Sequence, residues 1–156
     1  RYLKLFSFLS PDEISEIVLE HNEAPEKRLG QKQLASMVVE MIHGKTQSEV
    51  SEKISEFLFG DGNKIELLQA LSKEEFELFY SEIGGVRFSD QNLFGLFIET
   101  GLEQSWWTTR QSLNSGALFL NEEKLTDGQH NFQNDFIDER FILVRKGKKN
   151  YRLIIK

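Results

Sequence analysis

The stretch FILVRKGKKNYRLII, residues 141–155, decides how the C-terminal part of this chain folds. Two runs rich in apolar and β-prone residues, 140–145 and 151–155, lie on either side of the polar segment 146–150, which contains three lysines and one glycine. Two such runs joined by a short segment containing glycine are typical of a β-hairpin. We therefore predict a terminal hairpin with a lysine-rich turn.

The residues before this hairpin predict a small mixed domain. The sequence GGVRF, residues 84–88, breaks the preceding helical pattern, and we assign 84–90 to a linker. Beyond it we expect short helices at about 90–100 and 106–115, the second capped by Ser105, and short strands at 117–120 and about 123–126. Residues 91–156 are therefore predicted to form a small α+β domain.

The first 83 residues have the periodicity of helices. Ser10 and Glu13 form a capping box around Pro11, a favoured first residue of a helix. A second helix is expected to end at His43 before Gly44, and a third to begin with a capping box from Thr46 to Glu49. Shorter helices are expected at 64–71 and 73–83. The predicted fold class is α+β: an all-α domain at 1–83, then the small α+β domain.

Composition excludes several classes of protein. The chain has 156 residues, no cysteine and a net charge of −6, so disulfides and thiolate metal sites are excluded. It has no apolar run of the roughly 18 to 20 residues that cross a bilayer, and its apolar first residues lack a signal-peptide cleavage site. We expect a soluble, cytoplasmic protein with no membrane partner.

No pattern of a catalytic or metal site is present. His21, His43 and His130 are far apart and lack the helical spacing of metal ligands. His21 lies on an apolar helical face and His43 at a helix end, where structural roles are favoured. The chain contains no nucleophile elbow, P-loop or dinucleotide-binding glycine motif. We therefore expect no catalytic residue, no metal and no cofactor in this chain.

The distribution of charge is informative where the net charge is not. Residues 140–156 carry seven Lys or Arg and no acidic residue, although the chain as a whole is acidic. Arg145, Lys146, Lys148 and Lys149 surround one glycine, and such a cluster can donate hydrogen bonds to phosphate oxygens. The alternative is a hairpin edge whose lysines prevent edge-to-edge pairing. We favour RNA binding.

Two further groups of residues are candidate RNA contacts. Trp106 and Trp107 open the helix that carries Arg110, which lies three and four residues after them. An exposed indole beside an arginine can stack on an unpaired base, although packing of both indoles in the core is an equal alternative. Arg28 and Lys32 lie one turn apart, away from the apolar stripe of the second helix, where an ordinary solvated face is the alternative.

Four collinear segments resemble a known family, namely YLKLFSFLSPDEI, PEKRLGQKQLASMVVEMIHG, LFGLFIETGL with SWWTTRQSLNSGALFLNEEKL, and FILVRKGKKNYRLI. Over about 1–156 the chain resembles bacterial-type tyrosyl-tRNA synthetase. In that family this region follows the catalytic domain, and it comprises a helical anticodon-recognition domain and then an S-four-like RNA-binding domain. The HIGH-type and KMSKS-type signatures that handle ATP lie upstream in the family and are absent here. The resemblance therefore implies a chain that is inactive alone.

The resemblance also implies partners and contact residues. The helical domain would read the anticodon stem-loop of tRNA-Tyr, and the terminal domain would grip its long variable arm. Arg110 and the hairpin cations match the family, whereas Trp106 and Trp107 stand where the family commonly has Lys or Arg. The family's NGE-type turn appears as Asn121-Glu122-Glu123, without the glycine.

Two expectations complete the implied picture. The full-length enzyme would be a homodimer through its catalytic domain, so a monomer is expected for this chain. The alternative function is a protein-interaction module that docks on an acidic partner or on the parent enzyme's catalytic domain.

Overall fold

The computed structural model describes residues 2–89, 92–128 and 132–156. The predictions for His130 and for the end of the linker at residue 90 lie outside the described residues. The chain divides into two compact units, Arg1–Glu56 and Phe57–Lys156, and each is described by itself. None of the described helices is long and apolar enough to cross a bilayer.

The predicted order of helices first and a small sheet last is confirmed, so the fold class is α+β. The helices are α1 (Leu3–Phe6), α2 (Pro11–Glu23), α3 (Leu29–His43), α4 (Lys45–Phe59), α5 (Lys64–Gln69), α6 (Lys73–Ile83), α7 (Leu93–Glu99) and α8 (Trp106–Asn114), with 3-10 helices at Pro25–Lys27 and Phe132–Asn134. The strands are β1 (Gly85–Arg87), β2 (Leu118–Leu120), β3 (Glu123–Lys124), β4 (Phe141–Lys146) and β5 (Asn150–Ile155).

The first unit confirms one predicted capping box and corrects another. The Ser10 side chain accepts from the Glu13 amide, and the Glu13 carboxylate accepts from the Ser10 amide at 2.7 Å, so α2 begins as expected. The box from Thr46 to Glu49 is wrong, because α4 begins at Lys45 and Thr46 therefore lies inside the helix. Gly44, which ends α3 at a φ of 88°, is the single residue between α3 and α4.

The second unit contains one five-stranded sheet in the order β1-β5-β4-β2-β3. The predicted hairpin is confirmed: β4 and β5 pair antiparallel from Phe141 opposite Ile155 to Lys146 opposite Asn150. Sequence analysis assigned 84–90 to a linker, but residues 85–87 form the edge strand β1, parallel to β5. A three-residue strand is too short to show an alternating pattern, and its partner lies far away in sequence.

Strand β4 is buried on both faces of this sheet. Ile142 and Val144 belong to the core that the sheet forms with α7, which includes Leu96 and Phe97. Neighbouring strand residues point to opposite faces, so the side chains of Phe141 and Leu143 point to the face of the sheet opposite to α7. Phe141 packs against Phe76 of α6, with ring centroids 5.5 Å apart. The hairpin therefore packs against α7 on one face and against α6 on the other.

The second face continues along β5 and the end of α4. The ring of Tyr151 lies 4.8 Å from that of Phe57, which in turn lies 5.0 Å from Phe79, both in edge-on contact. Phe57 and Phe79 are fully buried. Edge-on aromatic pairs contribute about 0.5–1.5 kcal/mol beyond their buried area. This aromatic cluster fixes the end of α4 against the hairpin.

We predict that Gly85→Ala destabilises the second unit. A Cβ at this position would overlap the carbonyl oxygen of Leu153 and lie 2.7 Å from the ring of Tyr80. Overpacking of this kind costs about 1–3 kcal/mol, which urea unfolding measures. Gly62→Ala is the matched control, because nothing lies within 4 Å of its added Cβ. Equal stability of the two variants would contradict the close approach of β1 to β5.

Candidate nucleic-acid interface

The turn of the terminal hairpin exposes two of its lysines. Gly147 has a φ of 67°, which glycine adopts without steric cost, and its amide donates to the carbonyl of Ala117 at 2.8 Å. Lys148 and Lys149 follow it, and both are exposed. Among the described residues, no carboxylate lies within ion-pair distance of either ammonium group. These two cations are available to an anionic ligand.

Arg145 is placed differently, with only 13% of its side chain exposed. Its guanidinium donates to the carbonyl of Gly147 and to the Glu122 carboxylate at 3.1 Å. It also lies over the ring of Phe119, 3.7 Å from the centroid, and 5.7 Å from that of Tyr151. Each of these contacts is within the domain, so Arg145 connects the hairpin turn to the neighbouring strands and stabilises it.

The pair of Arg145 and Glu122 stabilises an unusual turn. Asn121 and Glu122, which connect β2 to β3, both have positive φ, 47° and 67°. The Asn121 side chain accepts from the Leu143 amide at 2.9 Å and donates to the Asp135 carbonyl at 2.7 Å. The turn is therefore built with two non-glycine residues in the left-handed region, and the hydrogen bonds of the Asn121 side chain offset part of the strain.

The charge of Glu122 also acts on the hairpin's aromatic residue. Tyr151 is almost fully buried beneath Arg145. Burial, and then the nearby negative charge of Glu122, raise the pKa of Tyr151 to about 12, although Arg145 acts in the opposite direction. Tyr151 is therefore neutral at physiological pH, as its place in the aromatic cluster requires.

Lys146 is also paired within the domain. Its ammonium lies 3.0 Å from the carboxylate of Glu103, which is 1% exposed, and 3.3 Å from the carbonyl of Leu102. Burial acts to raise the pKa of Glu103, but hydrogen bonds from Ser112, Lys146 and Thr108 outweigh it and hold that pKa below its ordinary value. Glu103 is therefore ionised at physiological pH, and the ion pair connects the hairpin to the loop before α8.

Helix α8 presents the predicted indoles and arginine. The Ser105 side chain accepts from the Thr108 amide at 3.3 Å, so the predicted cap is confirmed. Trp106 packs edge-on against Phe94, with centroids 5.2 Å apart, but it is still 56% exposed, and Trp107 is 67% exposed. The alternative that both indoles pack in the core is therefore wrong. Arg110 is exposed and, in the part of the chain that the structure describes, has no ion-pair partner. Trp107 is therefore the indole with more surface free for stacking.

Within the second unit, the structure brings the hairpin turn and α8 close together. Lys146 reaches the loop before α8 through Glu103, and Gly147 bonds to Ala117, just after that helix. The remaining candidates, Arg28 and Lys32, belong to the first unit, where both are exposed. Arg28 has a φ of 55° and precedes α3, and Lys32 lies one turn into that helix.

Two residues at this site were missed by sequence analysis. Glu103 neutralises Lys146, and Phe59, the last residue of α4, is exposed with Lys149 4.6 Å from its ring centroid. Local sequence patterns offer no signal for either contact, because the partners are more than 40 residues apart in sequence. The described residues contain no group of three His, Cys, Asp or Glu suited to a metal ion.

The fold and the site define a class: a helical segment followed by a small α+β domain that presents lysines and aromatic rings at one end of its sheet. Residues 75–154 match the family model described as the tyrosine–tRNA ligase SYY-like C-terminal domain, just over half of the chain. The chain belongs to this family. The predicted resemblance is thereby confirmed.

Individual relatives extend the match over nearly the whole chain. A tyrosine–tRNA ligase of Desulfitobacterium hafniense is 38% identical over 157 residues, which cover 99% of this chain and 36% of the relative. The tyrosine–tRNA ligases of Levilactobacillus brevis and Staphylococcus haemolyticus are 36% and 35% identical over 158 residues, again with 36% of each relative covered. The chain therefore spans about a third of the length of these relatives.

We predict that Lys146→Ala destabilises the protein and Lys148→Ala does not. Removing Lys146 leaves the buried Glu103 carboxylate without its cation, which we expect to cost about 1–3 kcal/mol in the free energy of unfolding. Lys148 is exposed, so its removal should change that free energy by less than about 0.5 kcal/mol. Urea unfolding compares the two, and equal values would refute a structural role for Lys146.

Proposed function

We propose that this chain is a tRNA-binding C-terminal part of a tyrosine–tRNA ligase, and that it serves the attachment of tyrosine to tRNA-Tyr. The observation that carries the proposal is family membership over residues 75–154, which include every candidate residue of the hairpin and of α8. In this proposal the activation of tyrosine with ATP belongs to a catalytic domain whose signature motifs this chain lacks.

The second unit is proposed to grip the long variable arm of tRNA-Tyr. A helical RNA arm is recognised mainly through its shape and phosphates, so exposed cations matter more there than base-specific contacts. Lys148 and Lys149 provide two ammonium groups without an ion-pair partner among the described residues. Arg110 and Trp107 on the adjoining helix supply a further cation and an exposed ring.

The first unit is proposed to recognise the anticodon stem-loop. It carries more acidic than basic residues, so binding there would depend on a few well-placed cations. Arg28 and Lys32 are exposed one turn apart. Unpaired anticodon bases can be read by contacts to their edges and by stacking, and these two cations would position the loop through its phosphates.

A protein-interaction module is the second candidate, and one observation favours it. The described residues of the first unit expose many large apolar side chains: Tyr2, Leu5, Phe6, Phe8, Val18, Leu19, Met41 and Ile42. Exposed apolar residues that form a contiguous patch often mark protein contacts. Negligible binding both to tRNA-Tyr and to a tRNA without the long arm would favour this candidate over RNA binding.

Replacing Lys148 and Lys149 together by alanine should weaken binding of tRNA-Tyr at least about tenfold at low salt, because each hydrogen bond to a charged group contributes about 1.5–3 kcal/mol. The slope of log K against log salt should fall by about two, one for each phosphate that is no longer neutralised. Filter binding at several salt concentrations measures both quantities. The preference for tRNA-Tyr over a tRNA without the long arm should shrink in the same variant.

The matched control removes the same charge elsewhere. Lys4 and Lys45 are exposed in the first unit, so Lys4→Ala with Lys45→Ala changes the net charge equally. This control should keep the salt slope and the preference for the long arm. If both double variants lose affinity alike, binding depends on net charge and the hairpin has no specific role.

Replacing Arg28 and Lys32 by alanine should weaken binding of an isolated anticodon stem-loop by about tenfold, from the same charge-assisted contacts. Affinity for an isolated variable-arm hairpin should stay unchanged, because these residues are assigned only to the anticodon. Gel-shift titration of the two RNA fragments measures the difference. Unchanged binding of the stem-loop would exclude these residues from anticodon recognition.

A further inference from the structure

Phe59 is an exposed ring at the end of a well-anchored helix. It is the last residue of α4 and is 69% exposed, whereas Phe57, two residues earlier, is completely buried. Residues two apart on a helix point about 200° away from each other. The buried ring therefore holds the helix end in place while the Phe59 ring points towards solvent.

A lysine further ties this helix end to the hairpin. The ammonium of Lys64 donates to the carbonyls of Phe57 and of Gly60, the latter at 3.3 Å. It also lies 5.3 Å from the ring centroid of Phe57 and 5.6 Å from that of Tyr151 in β5. A cation at the C-terminal end of a helix is favoured by the helix dipole. The end of α4, which carries Phe59, is thus held against the hairpin by Lys64.

The hairpin turn places one lysine near Phe59 in space, and a second lysine precedes the first in sequence. Lys149 of the hairpin turn lies 4.6 Å from the centre of the Phe59 ring, and Lys148 is exposed next to it in sequence. A cation over an exposed ring attracts it only weakly, so the contact alone does not account for an aromatic side chain in solvent. With one side of the ring facing the lysine, the high exposure of Phe59 leaves other ring surface open.

An unpaired nucleotide has the chemistry that fits this pair. It presents a flat base for stacking and a phosphate for a cation, whereas a base within a duplex is already stacked between its neighbours. Proteins that bind single-stranded nucleic acid combine aromatic stacking platforms with a positively charged path for the backbone. An acidic peptide offers carboxylates to the lysines but has no flat base joined to each anionic group.

We propose that Phe59 and Lys149 form a binding site for an unpaired nucleotide of RNA, with the base stacked on the Phe59 ring and the phosphate bound by Lys149 and Lys148. The inference rests on the proposed RNA-binding function and extends it, because it names a stacking residue outside the hairpin and α8. The site would bind a nucleotide in a loop, bulge or single strand. It would not stack on a base in a continuous duplex, because that base is already stacked between its neighbours.

The test compares two RNA probes that have the same number of phosphates, a stem-loop with unpaired bases and a fully paired duplex. Phe59→Leu keeps an apolar side chain but removes the aromatic face. We expect about a 5- to 150-fold loss of affinity for the stem-loop, the range of one base–aromatic stack, and less than about a twofold change for the duplex. Phe59→Tyr keeps the ring and should bind both probes as the wild type does.

Phe8→Leu is the matched control, because Phe8 is 94% exposed and no lysine or arginine of the described residues lies over its ring. It should bind both probes like the wild type. Circular dichroism and urea unfolding of Phe59→Leu should match the wild type, as expected for an exposed residue.

Three outcomes would overturn the inference, and they point to different failures. An unchanged stem-loop affinity in Phe59→Leu, with binding that still depends on Lys148 and Lys149, overturns the stacking site alone. An equal loss on both probes shows that the ring does not distinguish unpaired bases, which also overturns it. If the wild-type chain binds neither these probes nor tRNA-Tyr, the proposed function fails together with the inference.

Discussion

The burial of strand β4 on both of its faces is the constraint on which the second unit depends. Four consecutive apolar residues, 141–144, are shielded from water, and both edges of the strand are hydrogen-bonded, to β5 and β2. Burying such a strand requires apolar cover on two sides. Helix α7 supplies one side, and the aromatic residues of 57–83 supply the other. For that reason the second unit begins with the end of α4.

The same constraint determines which cations can meet a partner. Because successive residues of a strand point to opposite faces, Arg145 and Lys146 are turned to different sides of the sheet. There Arg145 forms an ion pair with Glu122 and Lys146 forms one with Glu103, so both stabilise the domain itself. Only the residues of the turn escape this alternation. Of the three lysines in the described hairpin, Lys148 and Lys149 of the turn are therefore left without a carboxylate partner, and Lys149 lies over the ring of Phe59.

Local patterns predicted most of the elements. The capping residues Ser10 and Ser105 accept from the helix amides as expected, because a cap depends on neighbours within four residues. The predicted start of α4 was wrong because residues that can cap a helix can also lie inside its first turn, and α4 begins one residue before Thr46. Strand β1 was missed because three residues carry no period, and its pairing with β5 is non-local.

The sequence by itself determined the order of elements, the lysine-rich hairpin and the residue types of the candidate interface, because these follow from spacing along the chain. Only the tertiary structure decided which of those residues remain free. Lys146 is neutralised by a carboxylate 43 positions earlier, and Lys149 is placed over a ring 90 positions earlier. Such partners are set by the packing of the hairpin between two layers of helices, a property of the whole unit that no local pattern contains.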